Sequence, residues 1–262
     1  MCPELFHVGP FTVQAYGLMM ALGFFAAGAL TAWGFHRRGL STDTVYVVLI
    51  AAVVGGLVGA KLNYIIIEPE FRLESLLNGR GFVWYGGFVG GTAGVVTVLL
   101  VTHAPLGPAV DAIAPGLAVG YGLGRIGCFL NGCCYGGASG LPWAVAFPLG
   151  SPPTNLLVHP TQLYESLASF GIAAVLVFVV HSQVQRAGSL FAWYMIMAGV
   201  ERFLVEFLRN NERLWAGLTL QQLVSVGLVL AGIVLLMRLR VVSVDLQRVA
   251  LDEDLPQCGK RS

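Results

Sequence analysis

Seven long apolar runs constrain the fold of this chain more than any other feature of its sequence. An α-helix needs about 20 apolar residues to cross the hydrocarbon core of a bilayer. Runs of this kind occupy residues 12–35, 44–67, 82–103, 109–130, 162–181, 188–208 and 218–238. Only 11% of the 262 residues are charged, whereas a soluble domain carries about 25%. The sequence therefore predicts an all-α polytopic membrane bundle with about seven transmembrane helices.

The fourth run has an unusual composition for a transmembrane helix. It contains Pro115 and five glycines between Gly116 and Gly127. Proline removes a backbone donor and glycine weakens a helix, so these residues predict irregular backbone. Such backbone is tolerated inside a membrane only against protein or a water-filled cavity. We therefore expect a non-uniform helix at the centre of the bundle.

The positive charges near the ends of the runs predict an orientation. Lys and Arg concentrate on the cytoplasmic side of membrane proteins. With the N-terminus outside, the cytoplasmic arginines are Arg37, Arg38, Arg186, Arg238 and Arg240, and the outer ones are Arg72, Arg80, Arg209 and Arg213. The connection 131–161 contains no Lys, Arg, Asp or Glu, and we expect it to form a small outer lid or head. Residues 1–240 are predicted to form a transmembrane catalytic domain and 241–262 a charged cytoplasmic tail.

Charge balance and cysteine content exclude several classes of protein. The net charge of +1 gives no basic excess for nucleic acid. The first ten residues contain no Lys or Arg, so they lack the positive region of a cleavable signal peptide, and we expect the first run to stay as a helix. The cysteines match neither a disulfide framework nor a paired CxxC zinc pattern; they are Cys2, Cys128, Cys133, Cys134 and Cys258. We predict free thiols among the helices and no metal site.

Glycines recur four residues apart in the second and third runs. The pairs are Gly55 with Gly59, Gly86 with Gly90, Gly87 with Gly91, and Gly90 with Gly94. Small residues at this spacing let helix backbones approach closely in lipid, where no hydrophobic effect drives association. We interpret these pairs as packing and not as chemistry.

Arg125 is the first candidate functional residue, because an ionised side chain inside the membrane costs at least a few kcal/mol. It lies near the end of the fourth run between Gly124 and Gly127, which leave space for a ligand at its guanidinium group. The alternative is an arginine that snorkels to the outer interface.

A second group of charges lies at the end of the sixth run. Arg202 and Glu206 are four residues apart and can pair along one helix face, with Arg209 one turn further. A structural ion pair explains them without function. Together with Arg125, however, Arg202 suits a phosphate, which arginine binds through two parallel hydrogen bonds.

Polar residues also open the fifth run. Pro160 suits a first turn, and His159 or Thr161 is expected to cap the helix. Gln162 and Glu165 are polar positions about one turn apart that enter the membrane. Two tyrosines within the apolar runs complete the candidates: Tyr16 in the first run and Tyr85 in the third. Most tyrosines of this kind are interfacial anchors.

Five motifs in the same order resemble those of the phosphatidylglycerol:prolipoprotein diacylglyceryl transferases of bacterial membranes. The resemblance covers nearly the whole chain. It rests on AYGLM at 15–19, YGG at 85–87, DA at 111–112 with Pro115 and GRIGCFLNG at 124–132, HPTQLYE at 159–165, and RFLVEFLR at 202–209. Tyr135 stands where the family has an aromatic residue, and Gly136 keeps the family glycine.

Three positions depart from the best-known members of this family. Cys128 replaces an asparagine, Cys133 replaces a glutamate, and Tyr85 replaces the histidine of a His-Gly-Gly motif. A mechanism with that histidine as base is therefore not carried over to this chain.

The resemblance implies transfer of the diacylglyceryl group of phosphatidylglycerol to the lipobox cysteine of a preprolipoprotein, with a thioether and glycerol 1-phosphate as products. No metal or redox cofactor is expected, and the partners would be the lipid, the preprolipoprotein and the membrane. The expected catalytic residues are Arg125, Arg202, Glu206, Tyr85 and Tyr16. The expected substrate-binding residues are Arg125, Asn131, Gly136, Gln162, Glu165, His159 and Cys128. We also expect Glu165 to hold an arginine in place.

Three other functions remain open at this point. A catalytically silent relative would bind lipid or act as a scaffold. A thiol-redox protein would use Cys128, Cys133 and Cys134, although adjacent cysteines pair awkwardly. A transporter for an anionic solute would use the same arginines, but the sequence has no internal repeat.

Overall fold

The computed structural model describes residues 4–8, 11–67, 84–180, 186–215 and 217–253. Within these ranges the chain forms seven α-helices. They are α1 Ala15–Arg37, α2 Asp43–Ile67, α3 Trp84–Val101, α4 Leu106–Asn131, α5 Thr161–Val175, α6 Ser189–Val205 and α7 Leu220–Glu253. A π-helical segment, Leu176–Val180, continues α5, and a 3-10 segment, Glu206–Leu208, continues α6. Each predicted run overlaps one of these helices over most of its length, so the all-α membrane bundle is confirmed.

Five of the helices are long and apolar enough to cross a membrane by themselves. They include α1, α2 and α4, the helical stretch from Thr161 to Val180, and the first part of α7. The third run gives a shorter apolar helix from Gly86 to Val101, and α6 has 17 residues. The prediction that all seven cross the bilayer therefore stays a prediction.

The outward faces of the helices carry large apolar side chains. Phe25 on α1, Ile66 on α2 and Phe178 after α5 are strongly exposed. Small residues such as Ala15, Ala114 and Ala118 are fully or almost fully buried. A soluble protein rarely exposes so many contiguous apolar side chains, so this surface is suited to lipid.

Helix α4 occupies the centre of the bundle, as predicted, because it contacts α1, α5 and α6. It is nevertheless one continuous helix, so the expectation of irregular backbone was wrong. The glycines serve close approach: a Cβ on Gly116 would lie 2.7 Å from the Ala27 carbonyl oxygen of α1. A Cβ on Gly122 would lie 2.7 Å from the Phe170 ring of α5. Helices α1 and α5 therefore pack closely against the glycines of a continuous α4.

Helices α2 and α3 form a closely packed pair through their glycines. A Cβ on Gly55 would lie 2.5 Å from the carbonyl oxygen of Gly90, and one on Gly94 would lie 2.6 Å from that of Ala51. Real Cβ atoms do not approach oxygen so closely, so only glycine fits at these positions. The interpretation of the glycine pairs as packing residues is confirmed for α2 and α3.

Helix α6 begins against a buried acidic side chain of α4. Asp111 Oδ2 accepts a hydrogen bond from the Gly188 N–H at 2.7 Å, and Oδ1 accepts one from the Phe191 N–H at 2.8 Å. A carboxylate at a helix N-terminus satisfies free backbone donors and complements the helix dipole. Asp111 therefore fixes the position of α6 relative to α4.

Three short antiparallel two-stranded sheets lie outside the helices of the described residues, one before α1 and two in connections between helices. They pair Glu4–Val8 with Phe11–Gln14, Val145–Phe147 with Thr154–Val158, and Arg213–Trp215 with Leu218–Thr219. The second sheet gives the uncharged connection between α4 and α5 an ordered structure. Helix α7 runs without interruption through residue 240, where the sequence predicts a domain boundary.

Candidate functional site

The candidate site lies at one end of the bundle, where the ends of five helices meet. It contains the start of α1, the last two turns of α4, the start of α5, the end of α6 and the start of α7. Consecutive helices run in opposite directions, so these ends lie on the same side as the N-terminal end of α1. The motifs at 124–132, 159–165 and 202–209, although far apart in the chain, converge there.

Glu165 is the centre of a cluster of three arginines. Its side chain is completely buried, and Oε2 lies 3.1 Å from Arg125 Nε. Its Oε1 lies 3.4 Å from Arg202 Nη1 and 3.8 Å from Arg209 Nη1. The expectation that Glu165 holds an arginine in place is thus confirmed by the geometry, and it extends to three arginines from α4 and from the end of α6.

Glu206 holds Arg202 from the other side. Its Oε2 lies 2.8 Å from Arg202 Nη2, which confirms the predicted pair across one helical turn. Its Oε1 accepts hydrogen bonds from Asn211 Nδ2 at 2.6 Å and from Thr219 Oγ1 at 2.9 Å. Both carboxylate oxygens are therefore engaged in positioning neighbouring groups.

The ion-paired groups of the cluster are three guanidinium groups and two carboxylates, Glu165 and Glu206. A third carboxyl group, that of Glu201, lies nearby, and its buried Oε1 has no hydrogen-bond partner in the described structure. Arg125 contacts Glu165 through Nε and donates from Nη2 to Tyr121 at 2.7 Å. Its Nη1 has no acceptor among the residues that the structure describes. The cluster can therefore accept an anion without losing the contacts that hold it.

A cavity of about 620 Å³ opens beside these arginines. Its polar lining includes Tyr16, Arg125, Arg202, Arg209 and Gln221. Its apolar lining comes mainly from α1 and α4 and includes Met20, Phe24, Ala27 and Leu117. This volume and this mixture of groups are typical of small-molecule sites, and they suit a molecule with an anionic head and an apolar body.

Three thiols line or adjoin the same cavity. The sulfur atoms of Cys128, Cys133 and Cys134 all lie within 4.8 Å of one another. Helix α4 ends at Gly132, whose φ of 68° is a left-handed conformation that glycine adopts readily. This turn folds the next residues back, and the Cys133 thiol faces the Cys128 carbonyl oxygen at 3.7 Å. Three of the five predicted free thiols are thus gathered into one group, and Cys2 and Cys258 lie outside the described residues.

Four predicted substrate-binding residues lie beside the cavity and support its walls. Gln162 is fully buried and donates from Nε2 to the Cys133 carbonyl oxygen at 2.7 Å. The Gly136 N–H donates to the His159 carbonyl oxygen at 2.9 Å, and a Cβ there would lie 2.5 Å from the Leu208 carbonyl oxygen. Asn131 contacts the Cys133 thiol. These contacts hold the chain in place beside the cavity.

The start of α5 differs from the predicted capping arrangement. Pro160 is the N-cap residue and no side chain caps the helix. The expectation of a His159 or Thr161 cap was wrong because Thr161 Oγ1 instead donates to the Cys134 carbonyl oxygen at 3.0 Å. The Nδ1 atom of His159 is buried without a hydrogen-bond partner among the described residues. These contacts tie α5 to the cysteine turn.

The two predicted tyrosines differ in what can be said of them. Tyr16 lines the cavity, and its ring would lie 3.3 Å from a Cβ on Gly127. Tyr85 belongs to the first turn of α3, but its side chain lies outside the described part of the structure. The proposed role of Tyr85 therefore rests on the sequence alone.

Sequence reasoning missed three residues of the cluster. The Tyr121 hydroxyl accepts from Arg125 and donates to Glu165 Oε1 at 3.2 Å, and its ring lies under the Arg125 guanidinium. Tyr121 stands four residues before Arg125, and that helical spacing could have revealed it. Arg209 was noticed only as part of a helix face. Glu201 has a buried Oε1 without a hydrogen-bond partner in the described structure.

Comparison with known proteins gives a consistent match over almost the full chain. The family model described as prolipoprotein diacylglyceryl transferase matches residues 3–238. A phosphatidylglycerol–prolipoprotein diacylglyceryl transferase of Clostridium tetani is 38% identical over 222 residues, which cover 81% of this chain and 87% of that protein. The second such enzyme of Clostridium perfringens is 34% identical over 230 residues, covering 85% and 90%. The enzyme of Dehalococcoides mccartyi is 34% identical over 240 residues, covering 88% and 90%.

Proposed function

The chain belongs to the prolipoprotein diacylglyceryl transferase family, and we propose that it transfers the diacylglyceryl group of phosphatidylglycerol to the lipobox cysteine of preprolipoproteins. The names of the similar proteins contain both substrates. The observation that carries the proposal for this chain is the arginine cluster around Glu165, which lies beside a cavity with both polar and apolar walls. The reaction would be the first step of lipoprotein maturation in a bacterial cytoplasmic membrane.

The phosphate of the lipid binds to Arg125, Arg202 and Arg209. Guanidinium groups form paired hydrogen bonds with phosphate oxygens, and all three line the cavity. Their carboxylate partners hold them in position before the lipid arrives, so little reorganisation is needed. The acyl chains follow the apolar cavity wall formed by residues such as Phe24 and Leu117.

The chemical step is a substitution at a glyceryl carbon. The acceptor sulfur forms a bond with the carbon that carries the phosphate ester, and the carbon–oxygen bond breaks. The electron pair leaves on the phosphate oxygen, and the products are a thioether and glycerol 1-phosphate. The thiol proton ends on the released phosphate or in solvent. The arginines stabilise the negative charge that grows on the leaving oxygen in a site with little water.

The acceptor thiol must lose its proton, because the thiolate is the nucleophile. Both oxygens of Glu206 are occupied by Arg202, Asn211 and Thr219, which favours a positioning role for this carboxylate over the role of a base. Tyr16 lies beside the cavity and the three cysteines. It is suited to orient the acceptor or the phosphate, and Tyr85 is assigned a similar role from its motif.

The same proposal includes an orientation in the membrane. Seven spans with the N-terminus outside put the site on the outer half of the bilayer, together with the uncharged connection between α4 and α5. The C-terminus is then cytoplasmic. A fluorescent protein fused after residue 262 should fold and fluoresce, and an alkaline phosphatase fused there should be inactive. The reverse pair of results contradicts this orientation.

The test of function uses the purified protein with phosphatidylglycerol vesicles and a peptide that carries one lipobox cysteine. Mass spectrometry should detect a diacylglyceryl thioether and an equal amount of glycerol phosphate. A peptide with serine in place of that cysteine is the matched control and should give no product. Lipid binding without thioether would contradict the proposal and indicate a silent lipid-binding relative.

A further inference from the structure

We propose that Cys128, Cys133 and Cys134 bind a zinc ion whose fourth position receives the acceptor thiol. The proposal deepens the proposed function, on which it rests, by naming the group that activates the nucleophile. The sequence predicts no metal, since its cysteines match no paired CxxC zinc pattern. The turn at Gly132 changes that conclusion because it brings three sulfur atoms within 4.8 Å of one another.

The distances suit a zinc ion after a small contraction. Zinc–sulfur bonds are about 2.3 Å long, so tetrahedral geometry puts the sulfur atoms about 3.8 Å apart. The three thiols are supplied by one short stretch of chain, from the last turn of α4 to the residues just after it. A contraction of about 1 Å or less requires only side-chain rotation.

Side chains of α5 hydrogen-bond to the backbone that carries the thiols. Gln162 binds the Cys133 carbonyl oxygen at 2.7 Å, and Thr161 binds that of Cys134 at 3.0 Å. Both side chains are fully buried in the first turn of α5. Metal sites are positioned by such outer contacts, which limit the movement of the ligands. This explains why polar residues open α5 although they do not line the cavity.

The surroundings favour a zinc thiolate centre electrostatically. Three thiolates and one Zn²⁺ carry a net charge of −1. Arg125 lies one turn before Cys128 on α4, and both Arg125 and Arg209 line the same cavity as Cys134. These positive groups stabilise the anionic centre, and the centre in turn lies next to the proposed phosphate site. Donor and acceptor groups of the reaction would therefore be adjacent.

A three-ligand zinc site leaves a position for a substrate atom. Catalytic zinc sites have three protein ligands and an open fourth position. Cys128 and Cys134 line the cavity, so a lipobox thiol that enters can reach that position. Coordination deprotonates the thiol, whose proton passes to solvent. Its sulfur then forms a bond with the glyceryl carbon as the bond from that carbon to the phosphate oxygen breaks, and glycerol 1-phosphate leaves with the electron pair. The thioether product is a weaker ligand and leaves the metal. This route needs no histidine base, and this chain has Tyr85 at the position of that histidine.

Metal binding is tested with cobalt and zinc. The parent protein is the full chain with Cys2→Ser and Cys258→Ser, so that only the three cluster thiols remain. Anaerobic addition of Co²⁺ should produce a sulfur-to-cobalt absorption band that saturates at one equivalent and disappears when Zn²⁺ is added. Cys128→Ser, Cys133→Ser and Cys134→Ser should each weaken binding by about 100-fold or more. Absence of the band, or its persistence in these variants, overturns the proposal.

The open position is tested with the acceptor peptide. The lipobox cysteine peptide should shift the cobalt spectrum, whereas the serine peptide should not. Equal spectra with both peptides contradict the activation of the acceptor. If the thiols react with an alkylating agent only after a reductant is added, two of them form a disulfide, and the zinc proposal is wrong.

A comparison of metal-free and zinc-loaded protein separates this inference from the proposed function. Transfer that depends on zinc supports both. Equal transfer by the metal-free protein overturns the zinc proposal and leaves the transferase intact. A peptide-dependent cobalt spectrum without any thioether supports the metal site and contradicts the transferase.

Discussion

Glu165 Oε2 lies 3.1 Å from Arg125 Nε, and this contact joins the start of α5 to the end of α4. The carboxylate also contacts Arg202 and Arg209, so one buried charge positions three positive side chains. Without this carboxylate, the three positively charged arginines would repel one another in a region of low dielectric constant. Glu165 therefore has two consequences for the protein: it stabilises the fold, and it prepares the phosphate site.

Replacement of Glu165 by glutamine should destabilise the protein and stop transfer. The substitution keeps the shape but leaves three arginines without their shared carboxylate, and removal of one partner from a buried ion pair costs about 3–5 kcal/mol. Thermal unfolding in detergent should occur at a clearly lower temperature. Glu212→Gln is the control because Glu212 is exposed. Equal melting temperatures for Glu165→Gln and the parent protein would show that the cluster contributes nothing to stability.

Much of this arrangement follows from the sequence. The apolar runs predicted the helices because their length matches the bilayer. The Arg202–Glu206 pair followed from helical spacing, and Glu165 was expected to hold an arginine. The number of arginines around Glu165 was not predictable, since α4 and α6 meet α5 only through tertiary packing.

The errors of the sequence reasoning have physical causes as well. Pro115 and the glycines of α4 suggested a broken helix, but these glycines admit α1 and α5 to close contact. The proximity of Cys128 to Cys134 depends on the left-handed turn at Gly132, and spacing along the chain does not reveal it. Thr161 binds the cysteine turn instead of capping its own helix.

Replacement of Asp111 by alanine should lower stability and leave the chemistry unchanged. Two N–H groups at the start of α6 would lose their acceptors, and the loss of such a cap costs about 1–2 kcal/mol. Unfolding temperature and the transfer rate per folded molecule are the two measurements. Glu212→Ala, at an exposed position outside the helices, should change neither. An Asp111→Ala protein as stable as the Glu212→Ala protein would refute the capping role.

Replacement of Gly55 by alanine should separate α2 from α3. Its Cβ would lie 2.5 Å from the Gly90 carbonyl oxygen, and relief of such overpacking costs about 1–3 kcal/mol. Gly171→Ala is the matched control, because a Cβ there meets nothing within 4 Å. Alanine favours helix over glycine by about 1 kcal/mol, so the control should be neutral or more stable. Two variants of equal stability in a detergent melt would contradict the close contact.

The arginine cluster is tested most directly by the rate of transfer from phosphatidylglycerol to the cysteine peptide in Arg125→Ala and Arg213→Ala. Arg125 lines the cavity, whereas Arg213 is exposed on the strand Arg213–Trp215. Loss of one group that stabilises a transition-state charge lowers the rate by about 100-fold or more. We predict such a loss in folded, membrane-inserted Arg125→Ala and a parental rate in Arg213→Ala. Equal thioether formation by both variants would contradict the role of Arg125 in binding the phosphate.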